Sequence, residues 1–259
     1  MSVKFTNSEW KRPLRLVAPI FILLVASNSR ATSIIAVTHN GNIWIAADSK
    51  ETAIGAGDVD SPGRDRYICK LRKQNTFYFA GAGNDYEDPP SGFSIPNLVA
   101  ASSSPNASIY QTALRFISIS KSPIAKETAF IVKYEGARFS LTDSIRFGRV
   151  IFFGVERGQP KVWLVTISVH FLDGEWIVDE HAPEPPPKDL PGFGIGVVDT
   201  AVDYIMGHQN EVATDPLGVL RKSVAAQVQV DPIHIGGPIS IVELSRNGVR
   251  WIEPGECTH

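Results

Sequence analysis

ATSIIAVTHNGNIWIAADSK, running from Ala31 to Lys50, is the stretch whose reading decides the architecture. Ile34, Ile35 and Val37 begin a short β-rich apolar run. Asn40-Gly41-Asn42 interrupts it, and Ile43-Trp44-Ile45-Ala46-Ala47 resumes it. Two strand-like runs joined at an Asn-Gly form a hairpin signal, because that dipeptide tolerates the positive φ angles of a tight turn.

The residues just before the hairpin change its chemistry. Lys11, Arg12 and Arg15 make a basic opening, and Leu16 to Ala26 is uncharged and almost wholly apolar. That run is too short to cross a bilayer as a helix, which needs about 20 residues. Ser29-Arg30-Ala31 offers small residues at the two positions a signal peptidase reads, so the whole matches a secretory leader. An uncleaved N-terminal anchor or a buried strand is the alternative. The expected organisation is a signal peptide over 1–31, removed on export to the periplasm or extracellular space, and one domain over 32–259.

Cleavage after Ala31 makes Thr32 the first residue. A free N-terminal threonine carries a nucleophile and a base together: the hydroxyl attacks, and an α-amine of reference pKa about 8 takes the proton. Taken on the residues alone, the stronger reading is that Thr32 is merely the first polar residue after the cut.

Composition narrows the classes. The chain has 259 residues and a net charge of -2, which leaves no nucleic-acid footprint. The part after the leader is long enough for a sizeable core. It holds no second hydrophobic span and no basic amphipathic helix, so no stable membrane insertion is expected after processing. Cys69 and Cys257 are the only cysteines. In an exported protein they either form a disulfide tying the C-terminal tail to the body or stay as free thiols. No metal-ligand spacing, dinucleotide fingerprint or P-loop occurs, so no metal and no cofactor is expected.

Along the chain, Glu51 to Arg66 reads as a loop, and Tyr67 to Leu71 and Thr76 to Ala80 as a strand pair joined by Arg72-Lys73-Gln74-Asn75. The second strand ends in the small residues Ala80-Gly81-Ala82-Gly83. A short helical turn at Leu98 to Ala101 precedes a helix over Ser108 to Ser120. Ser122-Pro123 then reads as the cap of a second helix over Ile124 to Tyr134. Arg149 to Val155, Lys161 to Val169 and Gly174 to Val178 read as strands. Glu184-Pro185-Pro186-Pro187-Lys188 reads as extended surface, and Pro191 to Gly196 as a Gly-rich turn. Helices follow over Val197 to Met206 and Leu217 to Val228, then strands over Ile233 to Leu244 and Val249 to Ile252. Hairpins dominate, so an α+β architecture of two packed sheets with helices on the outer faces is expected.

These residues resemble the opening of proteasome β-type subunits and their bacterial relatives, members of the N-terminal-nucleophile hydrolases. The resemblance rests on Thr32, the Asn40-Gly41 hairpin and Ile45-Ala46-Ala47-Asp48-Ser49-Lys50. It extends to Phe79-Ala80-Gly81-Ala82-Gly83 and to the segment Ile235 to Leu244 with Gly236-Gly237. It implies a four-layer α-β-β-α sandwich and hydrolysis of amide bonds by an N-terminal threonine. It further implies that Asp48 is the family's buried aspartate and that the N–H of Gly81 helps form an oxyanion hole. The leader fits exported proteasome-like proteins, in which export processing exposes the threonine.

The family also carries a lysine between that aspartate and the Gly-containing strand end. Here no lysine is read in the matching stretch. Arg66 takes its place, with Arg64 as the alternative. The family's Gly-Ser-Gly aligns with Gly194-Ile195-Gly196, which removes a serine, and its second Asp and Ser fall on Pro232 and Ile235, with Asp231 one place away and His234 nearby.

The expected catalytic set is therefore Thr32, Asp48, Arg66 and Gly81, acting on a peptide or small amide. A homo-oligomer is compatible with the resemblance. The rival expectation is an exported, catalytically inactive proteasome-like structural or binding protein.

Overall fold

Asn40 (φ 49°) and Gly41 (φ 77°) both occupy the left-handed region, the geometry that turns a two-residue loop in step with strand twist. They join β1 (Ser33–His39) to β2 (Asn42–Ala47), with Ile34 opposite Ala47 and His39 opposite Asn42. The computed structural model describes residues 32–52, 65–83, 93–135, 144–179 and 181–257. The leader expectation for 1–31 and the alternative residue Arg64 lie outside them.

Both strands are buried on both faces, which explains their nearly unbroken apolar sequence. Ile34, Ala36, Ile45 and Ala47 enter one apolar cluster, while Ile35, Val37 and Ala46 enter another. The alternation follows from the strand period of two. Numbered in chain order, the strands β10 (Gly192–Gly196), β11 (Ser240–Ser245) and β12 (Gly248–Glu253) complete a five-stranded sheet of order β10-β1-β2-β11-β12. The second sheet has the order β5-β6-β7-β8-β9. Its strands are β5 (Arg72–Gln74), β6 (Phe77–Gly83), β7 (Ile145–Glu156), β8 (Gln159–Leu172) and β9 (Glu175–Val178). A separate ribbon pairs β3 (Lys50–Thr52) with β4 (Asp65–Tyr67).

The second sheet shows the same two-faced pattern. Tyr78, Ala80, Ile151 and Phe153 meet the first sheet's Ile34 and Ile45 in the inter-sheet core. Phe77, Phe79, Val150 and Phe152 face outward, under α1 (Ile95–Ser102) and α2 (Ile109–Glu135). On the far side, α3 (Asp199–Gly207) and α5 (Pro216–Val230) cover Ile35, Val37 and Ile241, with the short α4 (Gln209–Val212) between them. The layers are thus α-β-β-α, as expected.

Several elements differ from the sequence reading, among them β3 and β4, whose residues fall largely in the expected loop Glu51 to Arg66. The two helices expected on either side of Ser122-Pro123 are one continuous helix, α2, with Pro123 in its interior. Proline removes the bond to the carbonyl four residues back, a cost of about 3 kcal/mol. Phe116, Ile124 and Ile131, buried on one face across the proline, contribute about 1.5–3 kcal/mol each. Packing therefore carries the helix through.

Gly192 to Gly196, read as a turn, is the edge strand β10 paired with β1. Its glycines permit close packing. A Cβ on Gly192 would stand 2.6 Å from the Ala36 carbonyl oxygen, and one on Gly194 would stand 2.8 Å from Val198.

The strand expected over Tyr67 to Leu71 is instead irregular from Ile68 to Leu71, and the expected turn Arg72–Gln74 is strand β5. Asn75, at φ 53°, makes the real turn. At the C-terminal end, β11 begins only at Ser240, because Gly236 (φ 156°) and Gly237 (φ 76°) break the extended run.

If apolar packing rather than local preference holds α2 together, removing the proline should strengthen it. Pro123→Ala is expected to raise unfolding free energy by about 1–3 kcal/mol, read from the urea midpoint at unchanged slope. An unchanged or lower midpoint would mean that the helix does not bear the proline's cost.

Candidate functional site

Strand β2 ends at Ala47, and the next side chain is Asp48. Its residue is 1% exposed, so its carboxylate must find partners inside the protein. The Ser33 N–H donates to Oδ1 at 2.9 Å, and the Gly236 N–H donates to Oδ2 at 3.3 Å. Lys70 Nζ donates to Oδ1 at 2.8 Å, and Lys70 is itself buried. Burial pushes the Asp48 carboxyl above its ordinary range; the Lys70 ammonium and the two backbone donors pull against that rise.

The same carboxylate gathers the surrounding backbone. The Asp48 N–H donates to the Ser33 carbonyl at 3.2 Å, and the Gly236 carbonyl accepts from Ser49 and Lys50 at 3.2 and 3.0 Å. Lys50 Nζ donates to the Pro232 carbonyl at 3.0 Å. A Cβ on Gly237 would stand 2.4 Å from the Tyr67 ring and 2.5 Å from Ser49 Oγ. Glycine is what lets this loop close over the end of β2.

Thr32 lies immediately before β1, one residue from the N–H that holds Asp48. Its carbonyl accepts from the Val197 N–H at 3.0 Å. Gly196, at φ 90°, passes so close that a Cβ there would overlap the Thr32 carbonyl and stand 3.1 Å from the Ala82 Cβ. The start of β1, the end of β10 and the small-residue end of β6 therefore converge. Continuing the alternation of β1 places Thr32 on the face of Ile34 and Ala36, between the sheets. Gly81 stands on β6 opposite Val150 and beside Ala82. Pairing with β5 stops at Phe79, so among the described strands none covers the Gly81 end of β6 on that side.

Arg66 is placed elsewhere. It stands on β4 opposite Glu51, its guanidinium pairs with the Glu51 carboxylate, and its side chain is 45% exposed. The expectation that it partners Asp48 is corrected by Lys70, which holds that position. Lys70 was missed because the sequence between Asp48 and β6 offers no secure alignment and because Tyr67 to Leu71 reads as a plain strand. The available signal was its setting, a single charge among Ile68, Cys69 and Leu71. A lysine buried there requires a counter-charge.

Cys69, the residue before Lys70, is bonded to Cys257, so the first of the two cysteine alternatives holds. At the accessory positions, Gly194-Ile195-Gly196 forms β10 without a serine. Asp231 Oδ1 lies 2.8 Å from His234 Nδ1 and accepts from the His234 N–H at 3.3 Å.

This geometry separates the two basic residues energetically. Lys70→Met leaves a buried carboxylate without its ammonium and is expected to cost about 3–5 kcal/mol. Arg66→Met removes a half-exposed partner and is expected to cost about 1 kcal/mol or less. Urea midpoints of the two variants check this, and equal losses would contradict the assignment of Lys70 to Asp48.

No family model matches this chain, and no curated protein matches it. Among solved structures it is similar to an Anbu (Gly-1) mutant from Hyphomicrobium sp. strain MC1. The two share 15% identity over 88% of this chain and 89% of that one, with a TM-score of 0.52. At that identity the likeness shows the fold alone, which is the α-β-β-α sandwich of the N-terminal-nucleophile hydrolase type.

Proposed function

We propose that this chain is an exported threonine-dependent amide or peptide hydrolase whose nucleophile, Thr32, is exposed by removal of residues 1–31. The observation that carries the reading is the buried Lys70–Asp48 pair. Asp48 Oδ1 accepts from both Ser33 N–H and Lys70 Nζ, so one carboxylate oxygen links the Lys70 ammonium to the residue that follows Thr32. A cation there favours the neutral α-amine and the ionised hydroxyl.

Thr32 Oγ attacks the carbonyl carbon of the substrate while the α-amine takes the hydroxyl proton. The Gly81 N–H at the end of β6 serves the developing oxyanion, a contribution of about 3 kcal/mol for a well-placed donor. The C–N bond then breaks, the departing amine takes the proton, and a threonyl ester remains. Water, deprotonated by the α-amine, cleaves the ester and restores Thr32.

A second reading is an exported proteasome-like structural or binding protein without catalysis. The structural likeness supports it directly, because likeness in fold asks for the sandwich and nothing more. The missing serine in Gly194-Ile195-Gly196 and the engagement of Asp231 with His234 favour it as well.

One experiment separates the two. The chain is purified from its export route, its start is read by intact mass and N-terminal sequencing, and it is treated with a β-lactone. The hydrolase reading expects a start at Thr32 and an acyl adduct on that residue. It also expects Thr32→Ala to lose turnover by a factor on the order of 10³ or more while folding normally. A correctly processed chain that takes no adduct would establish the non-catalytic reading.

A further inference from the structure

Lys70 sits in the irregular stretch Ile68 to Leu71, between β4 and β5, where no strand ladder fixes the backbone. The Ile68 N–H donates to the Ser49 carbonyl at 2.8 Å. The next residue, Cys69, is bonded to Cys257 across a sequence separation of 188. The tail carrying Cys257 is itself seated. The Cys257 N–H donates to the Pro254 carbonyl at 2.8 Å, and Ser240 Oγ donates to the same carbonyl at 2.9 Å. Ser240 opens β11 and pairs with Ala47, the residue before Asp48. A closed path therefore runs from Lys70 through Cys69, Cys257, Pro254, Ser240 and Ala47 to Asp48, and the Lys70–Asp48 contact completes it.

We infer that the Cys69–Cys257 disulfide is the positioning element that holds Lys70 on Asp48. A lysine has a flexible four-carbon stem and a strongly hydrated head. With its Cα free to shift, it extends toward water rather than staying on a buried carboxylate. The disulfide fixes the backbone one residue away, and it fixes it to the sheet that carries Asp48. Cys257 is buried in the inter-sheet core and Cys69 packs against that core, so the tie lies within the packed interior.

The positional claim concerns Lys70 itself; its effect on turnover rests on the proposed hydrolase reading. The test therefore has two arms. The oxidised chain is compared with Cys69→Ala/Cys257→Val, which keeps apolar packing without the bond, and with wild type reduced by a dithiol. Lysine side-chain NMR, with the Lys70 signal assigned through Lys70→Arg, reads position. The expected result is a shifted, slowly exchanging Lys70 ammonium in the oxidised chain. That signal moves to the exposed-lysine value once the bond is absent, with secondary structure retained, and returns on reoxidation.

In the turnover arm, loss of the bond is expected to lower kcat by about 10- to 100-fold and leave KM within about twofold, as for a displaced charge rather than a lost binding surface. A Lys70 signal unchanged without the bond overturns the inference. So does unfolding of the whole domain in both samples, which would make the bond a general staple. A chain with no turnover in any form defeats the hydrolase reading, and the NMR arm still decides the inference.

Discussion

The carboxylate of Asp48 is the constraint on which the site depends. An ionised group in an apolar interior carries a desolvation cost of several kcal/mol, which is offset only by close counter-charge and well-directed donors. Here the partners come from chain segments far apart in sequence: Ser33 at the start of β1, Lys70 in the stretch before β5, and Gly236 in the loop before β11. Satisfying one side chain therefore fixes the relative placement of three segments. It also fixes the residue that precedes Ser33. Thr32 is held by its neighbour's contact with Asp48 on one side and by the Val197 N–H on the other.

The sandwich supplies the setting for this carboxylate. Strands β1 and β2 lie inside the first sheet and are covered on both faces, one by the second sheet and the other by α3 and α5. At a strand end in such a place the ladder stops, and its last groups must find other partners. Small residues then govern access. Gly196 and Ala82 let β10 and β6 approach Thr32 closely, and Gly237 lets the loop above Ser49 close down. The site is built where two sheets end together, and glycine decides how near they come.

Much of this was legible in the chain, and the exceptions share a cause. The Asn40-Gly41 hairpin and the layer order follow from local rules, because turn chemistry and strand alternation are written over a few residues; the place of Asp48 was implied only by the resemblance to proteasome β-type subunits. Lys70 was marked only by its apolar setting, because its partner stands 22 positions away and the sequence between them does not reveal the register. Arg66 looked equivalent in the sequence but pairs with its cross-strand neighbour Glu51. The single helix α2 was hidden by Pro123, a local stop signal that three large buried side chains override. Strand β10 was hidden by its glycines, which mark a turn in isolation but a close contact in the sheet. In each case a local signal was correct as chemistry and yielded to packing.

Stability alone gives a poor account of why a lysine and an aspartate occupy this interior position. Buried ion pairs replaced by well-packed apolar side chains of similar volume are often neutral or more stable, and the inter-sheet core next to the pair is filled by ordinary isoleucine, alanine and phenylalanine. The sandwich would lose little with two more such residues. What an apolar pair could not supply is a fixed positive charge beside the first residue of β1. The charge is anchored by a carboxylate that also grips the neighbouring N–H, and its backbone is tied by a disulfide to the same sheet. That combination sets the location of the charge relative to Thr32 rather than the strength of the fold. It is the arrangement on which the proposed chemical role of this site rests, and a scaffold would have no use for it.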